Sequence, residues 1–461
     1  MNNKQCQRIV LIALIISSLT TFGDVHVIIS QPEGYSSFKD ISIGRYLEYP
    51  NLPLHPNQMT DDQDVDFQKV GSILEHIDEN LLLHYLEDIV SFGPRMTSTF
   101  GCEQAAEYIY QEFNRLGLQV RFQNWSAFGN KYNPRMFYGS NIEGILPGTD
   151  ELNDNLIVFN AHYDSVKVSP GADDDGSGVA AVLAAASALS NFEFDHDIAF
   201  VCFSGEEVGL LGSKAYSREA YEQHQDIIVE FNADMIGYAS TQEAGDSFRM
   251  YGTQDINWYL DELEDLSSQF NIHFNFKRGI IAEDTRGGSD YSSFTRYGYE
   301  AVAFFEGQWT PYFHSKYDDL THVNISYLTK TTKLITIALA AIADRPVDYP
   351  FIHIVSPMKG KLYVGGQKIC NAGEKKEDQL RTIILDDIWI WAETYHDVPM
   401  EKVEFYYSGR LQATDTEAPY SWNLNKCSIF PHRIEVKAYD IYGQTASDWI
   451  DVYNINFLLR N

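Results

Sequence analysis

The sequence predicts an α/β protein followed by an all-β sandwich, and three observations carry that expectation. Short apolar runs alternate with helical patterns between residues 156 and 231, as strands and helices do in an α/β sandwich. Residues able to hold a metal or move a proton fall directly after those runs: His162 follows LIVFNA, Glu206 and Glu207 follow IAFVCFSG, and Asp234 follows IIVEFNA. Beyond residue 351 the helical pattern stops and strand-like runs separated by turns take over.

A chain of 461 residues exceeds the size at which single cores stop growing, so two domains are expected. With 34 Lys and Arg against 65 Asp and Glu, the formal net charge is -31, and such a field repels polyanions. Nucleic acid is therefore excluded as a partner. The first 23 residues, with Lys4 and Arg8 ahead of an apolar stretch over 9–16, read as a signal peptide, and no later run reaches membrane length. The expectation is a secreted or cell-surface protein with no integral membrane domain after cleavage. Cys202, inside IAFVCF, reads as a buried thiol, and export permits a bridge between Cys370 and Cys427.

Residues 24–68 are polar and rich in Pro, Asn and Asp, and read as a leader or linker. Apolar residues at helical spacing predict a helical run over 70–90, then a second helix over 103–116 with Gly117 where a C-cap belongs. Strands are expected at 156–160, 198–203, 227–231, 272–276 and 301–305. Helices are expected at 179–189, 215–221, 258–270 and 326–343. Arg345, Pro346 and Pro350 mark the boundary, which gives an α/β domain over 69–346 and a β-sandwich over 351–461. Within the sandwich, runs at 351–355, 383–391, 403–407, 434–438 and 449–453 read as strands, with turns at Ser408-Gly409 and Tyr442-Gly443.

Placement of chemistry at strand ends matters because in open α/β sheets the carboxyl ends of strands form the binding crevice. Hydrolysis of an unactivated amide needs a stronger nucleophile than water and a site for negative charge on the carbonyl oxygen. Two divalent metals about 3.5 to 4 Å apart supply both, since zinc lowers the pKa of a water to about 7. The protein must then offer a bridging acid, an imidazole and a carboxylate for each ion, and a separate base. His162, Asp174, Glu206, Glu207, Asp234 and His314 meet that inventory.

The pieces HYDS at His162, GADDDGSG at Gly171, SGEEVGLLGS at Ser204, NADMIGY at Asn232, GGSDYSSF at Gly287 and FHSKYDD at Phe313 occur together and in order. With them the chain resembles the M28 family of metallopeptidases, over about residues 89–344. The resemblance implies a zinc-exopeptidase-like fold, with a mixed, mostly parallel sheet sandwiched by helices. It also implies two zinc ions, one held by His162 and Asp234, the other by Glu207 and His314, with Asp174 shared. Glu206 becomes the general base and Asp164 the residue that orients His162. Implied partners are peptide or protein substrates, cleaved at their N-terminal bonds. Family members that stabilise the oxyanion with a tyrosine near the second histidine differ here, because Phe313 precedes His314; Arg286 and Tyr312 are the alternatives. The region from Val403 onward resembles a bacterial immunoglobulin-like domain, a module that offers a route to cell-surface association.

Two other readings compete. A glutaminyl-cyclase-like enzyme shares HYDS and the histidine loop but works with one zinc, and its pattern lacks the glycine-rich DGSG that this chain has at residues 175–178. A binding ectodomain on the same fold would have lost ligands or the base, and none is missing.

Overall fold

The computed structural model describes residues 65–149, 155–254, 256–281, 288–345 and 351–455, apart from 373, 376–378, 381, 396–398, 429 and 442–444. The signal peptide, the leader up to residue 64, Arg286 and the Tyr442-Gly443 turn lie outside the described residues, as does the side chain of Cys370.

The expected helical run over 70–90 is two helices, α1 (Phe67–Glu75) and α2 (Glu79–Ser91). Asp78 adopts an extended conformation between them and its carboxylate accepts from the Leu81 amide at 2.8 Å, which starts a new helix. Gln68, which the sequence places in the leader, lies inside α1. Next come α3 (Phe100–Arg115), β1 (Gln119–Phe128), β2 (Met136–Leu146), β3 (Leu156–His162), α4 (Gly176–Leu189), β4 (Asp197–Phe203), α5 (Leu211–Glu222) and β5 (Ile227–Ala233). The domain closes with α6 (Gln242–Gly245), β6 (Ser247–Gly252), α7 (Asn257–Gln269), β7 (Asn275–Ile280), α8 (Tyr291–Thr295), β8 (Ala301–Glu306) and α9 (Ile325–Ala343). The strand expected at 272–276 starts three residues later, because Asn271 turns the chain at φ +58° and Ile272 is buried before the strand begins. Strands β1, β2 and β6 were not expected from the pattern.

Eight strands form one mixed sheet in the order β1-β2-β4-β3-β5-β8-β6-β7. Its centre, β4-β3-β5-β8, is parallel throughout, so four carboxyl ends open on one edge. Helix α4 is buried everywhere except Ser187 and packs between β3 and the helices α2 and α9. A helix apolar all round belongs in a core, which is why its alanines show no polar stripe. Helix α9 is long and apolar enough to cross a membrane by length and composition, and most of it is buried in this same core. Cys202 is a buried thiol on that side of the sheet.

On the opposite face α5 and α8 cover the sheet, with Phe203, Tyr216, Tyr221, Phe294, Tyr297 and Tyr299 in one apolar cluster. Asp226 is buried at the start of β5, and desolvation pushes its carboxyl from 3.8 to about 7. The folded protein thus keeps a proton that the unfolded chain releases near pH 4, and stability falls as pH rises from about 4 to about 7, by about 1.4 kcal/mol per pH unit from this group. Asp226→Asn cannot ionise. The variant is expected to match wild type in urea unfolding at pH 4 and to exceed it at pH 8.

The C-terminal strands are β9 (Phe351–Ser356), β10 (Lys361–Val364), β11 (Gln367–Asn371), β12 (Glu374–Lys375), β13 (Gln379–Leu380), β14 (Thr382–Leu385), β15 (Ile388–Tyr395), β16 (Met400–Tyr407), β17 (Arg410–Asp415), β18 (Tyr420–Leu424), β19 (His432–Asp440) and β20 (Thr445–Ile455). A seven-stranded sheet, β11-β10-β14-β20-β19-β16-β17, and a three-stranded sheet, β18-β15-β9, share one core that includes Ile354, Ile390, Phe405, Val436 and Val452. The run expected as one strand at 383–391 is two strands in different sheets. Asp386, at φ +70°, and Asp387 interrupt it between β14 and β15.

This sandwich rests on the α5 and α8 side of the first domain. Lys359 and Asp448, both buried, lie 3.5 Å apart, the Lys359 amide donates to the Tyr221 hydroxyl at 3.4 Å, and Met358 joins the cluster of Tyr216 and Tyr221. Met358→Ala is expected to cost about 2 to 5 kcal/mol. Denaturant titration measures it, and a change below 0.5 kcal/mol, roughly the level of a surface substitution, would refute the role of this contact.

Candidate metal centre

The parallel strand ends deliver the site. His162 is the last residue of β3, Glu206 and Glu207 follow β4, Asp234 follows β5, and His314 comes from the loop after β8. Asp174 reaches the same place from the loop before α4. His162 Nε2 lies 3.3 Å from Asp174 Oδ1 and 3.7 Å from Asp234 Oδ1. On the other side, His314 Nε2 lies 3.3 Å from Asp174 Oδ2 and 2.9 Å from Glu207 Oε2. Two triads, His162-Asp174-Asp234 and Asp174-Glu207-His314, each bring three ligand atoms within 4.8 Å of one another. Each oxygen of Asp174 therefore faces a different histidine.

Asp164 acts on His162 through its main chain rather than its side chain. Its carbonyl oxygen is 3.0 Å from His162 Nδ1, while its carboxylate is 3.8 Å away. That carboxylate accepts from the Thr97 hydroxyl at 2.6 Å and from the Glu206 amide at 3.2 Å, so it holds the loop that presents Glu206. Asp175 is the N-cap of α4 and accepts from three buried amides: Gly178 at 2.9 Å, Met235 at 3.2 Å and His162 at 3.1 Å. One carboxylate thus ties α4 to the ends of β3 and β5. Asp173 accepts from the Gly237 amide at 2.9 Å and belongs to neither triad. Tyr312 packs its ring on His322, with centroids 3.7 Å apart, and edge-on to Tyr238.

Two positioning devices are not apparent from the sequence. Arg95 is fully buried; its guanidinium donates to the carbonyl oxygens of Tyr163 at 2.7 Å, Pro170 at 2.6 Å and Gly171 at 2.8 Å, shaping the loop that leads to Asp174. Asp318 binds the main chain of Asp173 and Asp174. Arg95 stands in the loop before α3 and Asp318 in FHSKYDD, but only tertiary contacts reveal what each holds.

Negative charge dominates the centre. Burial pushes the carboxyls of Asp164, Asp175 and Glu206 above their ordinary range, and burial with the nearby Asp174 takes Glu207 to about 7. Burial also opposes ionisation of Asp174, but hydrogen bonds from His162 and His314 outweigh it and hold that carboxyl low. For His314, burial disfavours the charged form, yet Asp174 and Glu207 raise it to about 10. Glu207 Oε1 and Asp234 Oδ1 are buried without a hydrogen-bond partner. Unpartnered buried oxygens among imidazoles and carboxylates match the nitrogen and oxygen donor set of zinc.

The mixed eight-stranded sheet, with the two triads at its parallel edge, defines an α/β fold that solved proteins share. LapB from Legionella pneumophila superposes with a TM-score of 0.52 at 20% identity, over 66% of this chain and 80% of that one. A Bacteroides thetaiotaomicron glutaminyl cyclase gives 0.50 at 19%, over 58% and 98%. In sequence, aminopeptidase YwaD of Bacillus subtilis is 30% identical over 207 residues, 43% of this chain and 44% of that protein. Leucine aminopeptidase 1 of Aspergillus niger is 24% identical over 330 residues, 66% and 78% respectively. Residues 141–339 match the model of peptidase family M28.

Proposed function

We propose that the protein is an exported two-zinc aminopeptidase. The observation that carries this reading is the sharing of Asp174 between two complete triads. His162 and Asp234 would hold one ion and Glu207 and His314 the other, with Asp174 common to both. Zinc, when bound, supplies Lewis acidity, which lowers the pKa of water to about 7 and polarises a carbonyl. Glu206, outside both triads and held by Asp164 through its amide, takes the proton of the attacking water and passes it to the departing amine. Peptides or proteins with a free N-terminus are the substrates. The signal-like N-terminus supports export, and the β-sandwich, read as immunoglobulin-like, supports a role at the cell surface.

The test combines zinc analysis with turnover of free and N-acetylated peptides. Expected are two zinc ions per chain and cleavage of free peptides alone. Cleavage of acetylated peptides would remove the aminopeptidase assignment. The fold is common to a glutaminyl cyclase, so cyclisation of an N-terminal glutamine with one zinc per chain would establish that alternative instead.

A further inference from the structure

We propose that Asp318 is a positioning residue that holds Asp174 in register with His314. The inference rests on the reading of these two residues as metal ligands. Asp318 is 1% exposed, and the hydrogen bonds of its side chain run to the segment ahead of α4. Oδ1 accepts from the Asp173 amide at 2.8 Å; Oδ2 accepts from the Asp174 amide at 3.2 Å and from the Ser169 hydroxyl at 3.3 Å. The Asp318 carbonyl oxygen accepts from the Ala172 amide at 3.2 Å. The segment carrying Asp174 is thus fastened to Asp318 at four points.

At its other end Asp318 belongs to the loop that presents His314. The Asp318 amide donates to the Ser315 carbonyl at 3.2 Å, and the Ser315 amide and hydroxyl donate to the Tyr312 carbonyl at 3.1 and 2.6 Å. His314 sits inside this closed turn at φ +52°, a region L-residues rarely occupy, so its direction depends on the turn being kept. The side chain of His314 is 42% exposed, the most exposed of the five candidate ligands. The other ligand side chains are at most 12% exposed. Asp318 is therefore the link between a buried ligand, Asp174, and the most exposed one, His314. A carboxylate suits this role because it offers acceptors to two adjacent amides at once. An Asn in either orientation would turn its own NH₂ toward one of them.

Asp318→Asn in the full chain tests the proposal by zinc titration against a chromophoric chelator and by the visible spectrum of the cobalt-loaded protein. Wild type is expected to take two equivalents. The variant is expected to lose about 10- to 100-fold in affinity for one equivalent, with a smaller loss for the other, because outer partners of metal ligands are worth that much. Asp319→Asn, on the adjacent half-buried residue, whose carboxylate accepts from Thr321 and not from the Asp174 segment, should bind as wild type does. Wild-type affinity for both equivalents in folded Asp318→Asn overturns the proposal, as does an equal loss of both, the mark of general loosening. If Asp318→Asn does not fold, Ser169→Ala decides. It removes the hydroxyl that donates to Oδ2 and accepts from the Gly171 amide at 3.0 Å, while leaving the two amide contacts of Asp318; a weakened second equivalent supports the proposal and an unchanged one overturns it. Fewer than two equivalents in wild type would overturn the two-metal reading itself and this inference with it.

Discussion

Glu206→Gln is expected to keep the zinc content of wild type and to lose about 10²- to 10⁴-fold in kcat, the range that general acid-base catalysis supplies. The substitution changes one atom, and the Glu206 main-chain amide still donates to Asp164, so the loop should stay in place. Glu206 stands outside both triads, which is why metal content and turnover should part company. Elemental analysis together with steady-state kinetics checks the outcome. Normal turnover removes Glu206 from the mechanism, whereas loss of zinc makes it a ligand.

Asp174→Ala should have the opposite signature. Asp174 is the one residue present in both triads, and its removal leaves each with a single imidazole and a single carboxylate. Both ions should fall away together, activity with them. Asp173→Asn is the matched control, since the Asp173 carboxylate accepts from Gly237 and joins neither triad; it should retain zinc. Elemental analysis of the two variants side by side decides between Asp173 and Asp174 as the bridge. Full zinc content in Asp174→Ala would sink the assignment.

Much of this arrangement is legible in the residues alone. His162, Glu207 and Asp234 follow apolar runs too short for helices, and that pattern points to a parallel sheet whose carboxyl edge gathers them. Strands β1 and β2 escape notice because they lie towards the outer edge of the sheet. In β1, exposed and buried positions alternate irregularly, so neither a buried run nor a clean two-residue period appears. The break between α1 and α2 turns on the capping role of Asp78, which local spacing of apolar residues does not register. The manner in which Asp164 orients His162 is hidden for a geometric reason: sequence gives proximity to His162 but not which oxygen of the residue faces the ring. Arg95 and Asp318 act on main-chain groups, and hydrogen bonds to backbone leave no pattern in residue type.

The four central strands β4-β3-β5-β8 are neighbours in space, yet the groups at their ends span residues 162 to 314 of the chain. No fragment ending before β8 possesses both triads. A cation held by them would recognise only the finished sheet, and its binding energy would then be folding energy. By mass action, raising free metal a hundredfold above its dissociation constant would add about 2.7 kcal/mol to the stability of the whole domain. Thermal denaturation should therefore shift with metal concentration for the distant helices α1 and α7 as much as for the site itself.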